Sequence, residues 1–202
     1  MVWTDKIENC LIYDNYGTWG PVLYSVKDTV LSTTIVNNQG FAINNEQELS
    51  VINSIIYNNT NPSNNKQISF SNIVPFTNLH LSYSLIQGDS TINTNSSNGQ
   101  IIWGPGVLHS SPLFIDSSND NFNLKYNSPG IDAGHIDLNG NSITWQTDPD
   151  DQDQDGTRMD IGYRSHFITN TFYWSPNAET TSTITVTPTT TTTYYVTVSN
   201  GI

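Results

Sequence analysis

A nine-residue string that recurs four times constrains the fold more than any other feature of the sequence. Aligned without gaps, the copies follow one another at offsets of 24, 20 and 30 residues. Each copy has an apolar residue first, a small residue fourth, two apolar residues next and turn formers last. A strand and turn that recur in this way are typical of repeat proteins, whose neighbouring units stack on one another. The copies are IENCLIYDN (7–15), LSTTIVNNQ (31–39), VINSIIYNN (51–59) and LSYSLIQGD (81–89).

The repeat favours a solenoid over an antiparallel sandwich. Both folds contain short strands bounded by turns, but a sandwich gives no reason for one string to recur at one-coil intervals. In a solenoid equivalent residues lie above one another, so we expect single-file columns and ladders of Asn amides at the corners. The two apolar columns are adjacent, which leaves open which of them points inward. The expected columns are Ile7, Leu31, Val51 and Leu81, then Cys10, Thr34, Ser54 and Ser84, then Leu11, Ile35, Ile55 and Leu85.

Composition agrees with an all-β fold and excludes two classes of partner. Only 12% of residues are charged, and Asn, Ser, Thr and Gly are abundant, which suits strands joined by many tight turns. The net charge is −12 with six basic residues, so we expect no binding to nucleic acid, which needs several Lys or Arg. No segment approaches the roughly 20 apolar residues that span a bilayer, so we expect no membrane insertion. The sequence begins inside a repeat, and we expect further coils upstream.

Residues 111–163 follow the repeats and have a different pattern. Aromatic and aliphatic residues recur there among Asn, Asp, Ser and Gly. Two acidic glycine turns, 131–134 and 160–162, bracket an acidic loop at 148–155. We predict that this stretch is the closing end of the solenoid, an Asp-rich lid on the last coil, and that it is not a catalytic centre.

Residues 5–165 resemble the right-handed parallel β-helix repeat family of the pectin-lyase-like kind. The terminal coil of such domains in secreted bacterial proteins typically has a Pro-x-Phe-x-Asp string, a Leu, Ser-Pro-x-Ile-Asp-x-Gly, an Asp-Gly-x-x-Arg loop and Asp-Ile-Gly. The resemblance implies an all-β fold, a right-handed parallel β-helix over residues 1–165, and a secreted or cell-surface location in bacteria. The matching positions are Pro112, Phe114, Asp116, Leu124, Ser128, Pro129, Ile131, Asp132, Ala133, Gly134, Asp155, Gly156, Arg158, Asp160, Ile161 and Gly162.

Residues 166–202 form a second region with a Thr-rich composition. Two alternating strand patterns, 182–187 and 193–198, are separated by Pro188 and a Thr run, which predicts a short hairpin. The region also resembles the C-terminal half of the immunoglobulin-like modules of Bacteroidota surface proteins, with 173–176 as an early strand. We therefore expect a partial immunoglobulin-like module or, as the alternative, a Thr-rich stalk.

The acidic loop is the sharpest chemical signal in the sequence. Asp151, Asp153 and Asp155 alternate before Gly156, as in the first half of an EF-hand calcium loop. The twelfth position of that loop is Gly162 instead of Glu, so a complete EF-hand is not expected. Converging carboxylates repel one another by roughly 3 kcal/mol, so the loop either spreads into water or binds a cation. The ligands of a calcium ion would be Asp151, Asp153, Asp155 and Asp160.

Four residues of this stretch receive structural roles: Asp132, Gly134, Arg158 and Gly162. For Arg158 we expect an ion pair with Asp132, Asp160 or the acidic loop that fastens the last coil. No catalytic residue is assigned, because no cluster of basic residues for an anionic sugar accompanies the acidic residues.

The sequence therefore predicts a non-catalytic extracellular scaffold or adhesin that presents an extended β surface to glycans or other cell-surface components. Tyr13 and Tyr57 share a repeat column and are candidates for stacking on sugars; the alternative is that such rings cover loops and ends of the solenoid. The alternative function is part of a polysaccharide lyase or hydrolase whose catalytic coils lie upstream.

Overall fold

The computed structural model describes residues 6–16, 22–24, 27–60, 66–71, 75–163, 171–176 and 178–199. The chain divides into two compact units, residues 1–166 and 167–202. The predicted domain boundary between residues 165 and 166 lies within the range 164–170, which is outside the described residues. Within the described residues no helix has the length and apolarity of a membrane span. The strands are β1 (Lys6–Glu8), β2 (Leu11–Tyr13), β3 (Leu23–Tyr24), β4 (Asp28–Leu31), β5 (Thr34–Val36), β6 (Ile43–Asn45), β7 (Leu49–Ile52), β8 (Ile55–Tyr57), β9 (Ile68–Phe70), β10 (Thr77–Ser82), β11 (Leu85–Ile86), β12 (Gly99–Trp103), β13 (Phe114–Asp116), β14 (Asn121–Leu124), β15 (Thr171–Ser175) and β16 (Tyr195–Ser199).

The first unit is a parallel β-solenoid of about four turns, which confirms the predicted all-β, parallel class. Its first sheet has the strand order β1-β4-β7-β10-β12, its second β11-β8-β5-β2 and its third β3-β6-β9. All three sheets are parallel, because each coil contributes one strand to a sheet and the next coil adds the equivalent strand beside it. Two short 3-10 helices, Ser117–Asn119 and Pro149–Asp151, lie outside the coils.

Stacked aliphatic columns fill the interior of the solenoid. In the first sheet Ile7 pairs with Val30, Val30 with Val51 and Val51 with Leu81. The third sheet contributes Leu23, Ile43 and Ile68 to the same core. The second sheet contributes its inner column, Ile12, Ile35, Ile56 and Ile86.

The register of the second coil corrects the ungapped alignment of the repeats by one residue. Leu11 pairs with Thr34, not with Ile35, and Ile7 pairs with Val30, not with Leu31. The single file of Leu11, Ile35, Ile55 and Leu85 was therefore a wrong prediction. The column is Leu11, Thr34, Ile55 and Leu85, and equivalent residues are 23, 21 and 30 positions apart.

Two side-chain ladders set this register. In the small column the backbone N–H of Cys10 donates to Thr33 Oγ1, that of Thr33 to Ser54 Oγ, and that of Ser54 to Ser84 Oγ. The hydroxyl must lie at the same point of every coil for this chain of bonds to form. Thr33 therefore takes the small position, and Thr34 moves into the apolar column.

The second ladder consists of stacked amides at a corner, as predicted. Asn15 Nδ2 donates to Asn38 Oδ1 at 2.9 Å, and Asn38 Nδ2 donates to Asn59 Oδ1 at 2.8 Å. Asn59 Nδ2 continues the chain to Gln67 Oε1 at 2.9 Å. Asn38, Asn59 and Gln67 are buried, so these bonds satisfy amide groups that water does not reach.

Residues 111–163, which we call the strap, cover the outer face of the second sheet instead of sealing the end of the stack. Ile55 and Leu85, in the outer column of that sheet, pack against Leu124 and Ile161 of the strap. The strap reaches coils far from the last one, since the ring centroids of Tyr13, in the first coil, and Phe122, in the strap, are 5.3 Å apart. The predicted lid is therefore a lateral cover. The outer apolar column is buried by it, while the inner column faces the solenoid core.

The second unit contains an antiparallel hairpin of β15 and β16. The hairpin was predicted, but its expected first strand, 182–187, is irregular, and 171–175 takes its place. Phe172 lies opposite Val198 and Trp174 opposite Val196, which are aromatic and β-branched pairs of the kind that stabilise sheets.

Candidate metal centre

Two turns of the strap are joined by backbone hydrogen bonds and bring distant acidic residues together. The N–H of Gly134 donates to Met159 O, and the N–H of Ile161 donates to Gly130 O, both at 2.8 Å. The N–H of Asp132 donates to Asp160 Oδ1 at 2.9 Å. The side chains of the two predicted acidic glycine turns therefore share one location.

The glycines of these turns allow the strap to approach the solenoid closely. A Cβ on Gly134 would lie 2.5 Å from Met159 O and would overlap Asn53 Oδ1. A Cβ on Gly162 would lie 2.7 Å from Ile55 Cδ1 and 2.8 Å from Thr34 Oγ1, and Gly162 has a φ of +109°. Both turns thus dock on coils two and three, where the N–H of Gly162 also donates to Asn53 O at 2.8 Å.

Asp132, Asp153 and Asp160 form an acidic cluster in which one carboxylate oxygen of each lies within 4.8 Å of the others. Asp160 is buried, Asp153 is half-buried and Asp132 is exposed. Asp153 Oδ1 accepts the N–H of Asp155 at 3.3 Å, whereas Asp153 Oδ2 is buried without a hydrogen-bond partner. An unpartnered buried carboxylate oxygen is costly unless a cation or a proton satisfies it.

Burial raises the pKa of Asp153 to about 7, with further contributions from its hydrogen bond to Asp155 and the charges of Asp160 and Asp155. The carboxyl group consequently holds its proton in slightly acidic solution although an ordinary Asp loses it near pH 4. A bound cation would reverse this effect, because it favours the ionised form. Three carboxylates with hard oxygen donors could therefore hold a metal ion of the Ca²⁺ or Mg²⁺ kind.

Only two of the four ligands predicted from the sequence belong to the acidic cluster. Asp153 and Asp160 come together, while Asp155 lies beside them and accepts the N–H of Thr157 at 3.0 Å. Asp151 is directed elsewhere, since its Oδ1 accepts the N–H of Leu138 at 2.6 Å. Its place is taken by Asp132, which the sequence identified only as structural. The acidic glycine turn that contains Asp132 was visible in the sequence. Because Asp132 is far along the chain from Asp153 and Asp160, the sequence did not show that the three residues lie close together.

Among the described residues Arg158 contacts an aromatic ring and forms no ion pair with a carboxylate. Its guanidinium carbon lies 5.5 Å from the centroid of Tyr83, and Nη2 donates to Ala133 O at 3.4 Å. Tyr83 also contacts the ring of His135 edge-on, with the two ring centroids 4.6 Å apart. Arg158 thus joins the strap to the turn after β10 by a cation–π contact.

A cleft of about 240 Å³ lies between the second sheet and the strap. The ring of Tyr57 and the amides of Asn37 and Asn58 line its sheet side, and Lys125 lines its strap side. Asn58 Nδ2 donates to Asn37 Oδ1 at 2.8 Å, so the two amides are held in place. The cleft therefore combines two aromatic residues, Tyr57 and Phe114, with several hydrogen-bonding groups.

The fold and the acidic cluster define a class: a parallel β-solenoid whose second sheet is covered by an acidic strap. Compared with protein-family models, curated proteins and solved structures, the chain matches none of them.

Proposed function

We propose that this chain is a non-catalytic scaffold of an extracellular or bacterial cell-surface protein, in which calcium fastens the strap to the solenoid. The acidic cluster carries the proposal. Asp132 and Asp160 come from the two acidic glycine turns of the strap, and Asp153 comes from the acidic loop between them, so one ion bound to all three would hold the turns and the loop together.

Calcium suits this cluster better than magnesium. Calcium accepts irregular arrangements of six to eight oxygens, whereas magnesium requires a near-ideal octahedron. Asp132 and Asp160 are already fixed by hydrogen bonds within irregular turns, which favours the more tolerant ion. Calcium modules that act outside cells bind at roughly 10⁻⁴–10⁻³ M, an affinity that a partly exposed site of three carboxylates can supply.

The surface that such a scaffold presents includes the cleft at Tyr57. Aromatic rings offer an apolar face to sugars, while amides and an ammonium group satisfy hydroxyls and carboxylates. Asn37, Asn58 and Lys125 provide these groups around the ring. We therefore assign glycans as the partner class and this cleft as the contact region.

Thermal unfolding of the full chain in millimolar calcium and in EDTA tests the scaffold proposal. At a calcium concentration ten times the Kd we expect about 1.4 kcal/mol of stabilisation, or a Tm rise of about 3–6 °C. Asp160→Asn should remove the part of the rise that this cluster contributes. Asp120→Asn is the matched control, because Asp120 is exposed and outside the cluster. An equal response to calcium in the wild type and Asp160→Asn would contradict the site.

A glycan array and an activity assay on pectin, alginate and neutral glycans test the partner class. The scaffold should be retained on at least one glycan without releasing product, and Tyr57→Ala should weaken retention. Release of shortened sugars would instead support the lyase or hydrolase alternative.

A further inference from the structure

Two buried carboxylate oxygens have no hydrogen-bond partner in or next to residues 137–148, which we call the 137–148 loop. Asp137 Oδ2 accepts the N–H of Ser142 at 2.9 Å, but Asp137 Oδ1 is buried and has no hydrogen-bond partner. Asp151 is fully buried against the start of the same loop. Its Oδ1 accepts the N–H groups of Leu138 and Asn139 at 2.6 and 3.3 Å, and its Oδ2 has no partner. Neither oxygen belongs to the acidic cluster of Asp132, Asp153 and Asp160.

Asp148 supplies a third carboxylate at the end of this loop. It is 7% exposed, and its Oδ2 accepts Asn139 Nδ2 at 3.0 Å and Asn141 Nδ2 at 2.6 Å. Hydrogen bonds therefore tie three carboxylates to this loop: Asp148 to the amides of Asn139 and Asn141, Asp151 to the backbone at 138 and 139, and Asp137 to the backbone at 142.

The spacing of these residues matches a calcium loop. Asp137, Asn139, Asn141 and Asp148 occupy positions 1, 3, 5 and 12 of a twelve-residue stretch, the positions that supply side-chain ligands in EF-hand loops. The sixth position of such loops requires a sharp turn that glycine normally provides. Ser142 occupies it here with a φ of +68°, so the backbone adopts that turn without glycine.

We propose that the 137–148 loop is a second calcium site. Its ligands are Asp137 Oδ1, the side-chain oxygens of Asn139 and Asn141, and the carboxylate of Asp148, with Asp151 Oδ2 completing the negative charge. The site deepens the proposed calcium-dependent scaffold, yet none of its residues belongs to the first cluster. Occupied together, the two sites would hold the middle and the end of the strap.

Calcium binding to the 137–148 loop requires a local rearrangement of its side chains, and this rearrangement can be measured. Asn139 and Asn141 direct their NH₂ groups at Asp148, and each amide must rotate to present its oxygen to the ion. The described carboxylates of this loop converge less closely than those of Asp132, Asp153 and Asp160, so the loop tightens around the ion. Trp145 is the ninth residue of the loop, and its N–H donates to Ile136 O at 3.0 Å. Its fluorescence should respond to the rearrangement.

Calcium titration of the chelator-treated full chain by calorimetry, together with terbium luminescence excited through Trp145, tests the second site. We expect two equivalents of calcium for the wild type and one for Asp137→Asn combined with Asn141→Ala. Sensitised terbium emission should fall at least fivefold in the same variant and in Trp145→Phe. Circular dichroism of each variant establishes that the solenoid remains folded.

The outcomes separate the two sites. Asp160→Asn should also lower the stoichiometry to one while leaving the Trp145-sensitised emission unchanged. If the first site fails and the second holds, the wild type binds one equivalent, which only the loop variants remove. Unchanged stoichiometry and emission in the loop double variant would overturn the second site, whatever the result at Asp160. Binding of magnesium in place of calcium at equal concentration would overturn the assignment of the ion.

Discussion

Neighbouring coils of the solenoid contact one another through repeated ladders, whereas the strap contacts them through a few individual residues. From one coil to the next the ladders join residues 21–30 positions apart, such as Asn38 with Asn59 and Ser54 with Ser84. The strap contacts join residues much further apart, for example Tyr163 with Thr34 over 129 positions. The hydroxyl bonds and the Asn–Asn bonds between coils recur from one coil to the next, whereas the bonds of the strap to the coils follow no repeat.

This difference separates two ways of stabilising one β structure. The coils have little charge and satisfy buried polar groups with amides and hydroxyls. The strap satisfies its turns with carboxylates, and three of its carboxylate oxygens are buried without a partner within the described residues, whereas the unpartnered buried oxygens of the coils are the amide oxygens of Gln39 and Asn45. We therefore expect coil variants to lower stability regardless of calcium and strap variants to act through calcium or through close packing.

Removal of the buried amide of Asn59 should have the largest effect. Its Oδ1 accepts the N–H and Nδ2 of Asn38, and its Nδ2 donates to Ile35 O and Gln67 Oε1. Asn59→Ala leaves several of these groups unsatisfied in the interior, so we expect a loss of about 3 kcal/mol in the free energy of unfolding, measured by urea denaturation.

Asn15→Ala is the matched control, because Asn15 is the exposed end of the same ladder. Water can replace its bonds, so we expect a loss below about 1 kcal/mol. Both losses should be the same in calcium and in EDTA. Equal losses for the two variants would show that burial of the ladder does not determine its contribution.

Gly134→Ala tests the close approach of the strap. Its new Cβ would meet Met159 O and Asn53 Oδ1, and at least one is backbone that cannot move alone. We expect a loss of about 2–3 kcal/mol. Gly140→Ala is the matched control, because its Cβ would meet nothing within 4 Å and only the φ of +73° would be strained. We expect it to lower the free energy of unfolding by about 1 kcal/mol. A smaller loss at Gly134 than at Gly140 would mean that the strap does not dock tightly.

The parallel coils and the amide corners could be predicted from the sequence, but the register of the second coil could not. Thr33 and Thr34 are adjacent and chemically identical, and so are Asn37 and Asn38. Either member of each pair satisfies the repeat pattern locally. The choice depends on hydroxyl and amide bonds to the coils on both sides, which a string alignment does not contain.

The candidate site was predicted only in part, and for a related reason. The acidic loop identified Asp153 and Asp160, because their ligand pattern is local. Asp132 required knowledge that two turns pair across the strap. The path of the strap along the outer face of the second sheet could not be inferred, since both apolar columns of that sheet fitted an interior equally well.

The pH dependence of stability should distinguish the strap from the coils in EDTA. The folded pKa of Asp153, about 7, exceeds its unfolded value of about 4, so the folded state binds more protons between these values. Stability contributed by this group is therefore full below pH 4 and decreases as the pH rises to about 7. Asp153→Asn should remove this part of the decrease, measured as the difference between the two Tm profiles. Calcium should also reduce it, and parallel profiles in EDTA would contradict the raised pKa.

The cation–π contact between Arg158 and Tyr83 should give the smallest effect. A double-mutant cycle of Arg158→Met and Tyr83→Leu isolates their coupling from the other losses, and we expect about 0.5–1 kcal/mol in urea denaturation. Arg158 forms no ion pair with a carboxylate in the described part of the chain, so the coupling should change little with added salt. A coupling that disappears in salt would instead support the ion pair with an acidic residue that the sequence predicted for Arg158. A coupling that persists would show that the strap binds the coils here through the aromatic ring of Tyr83.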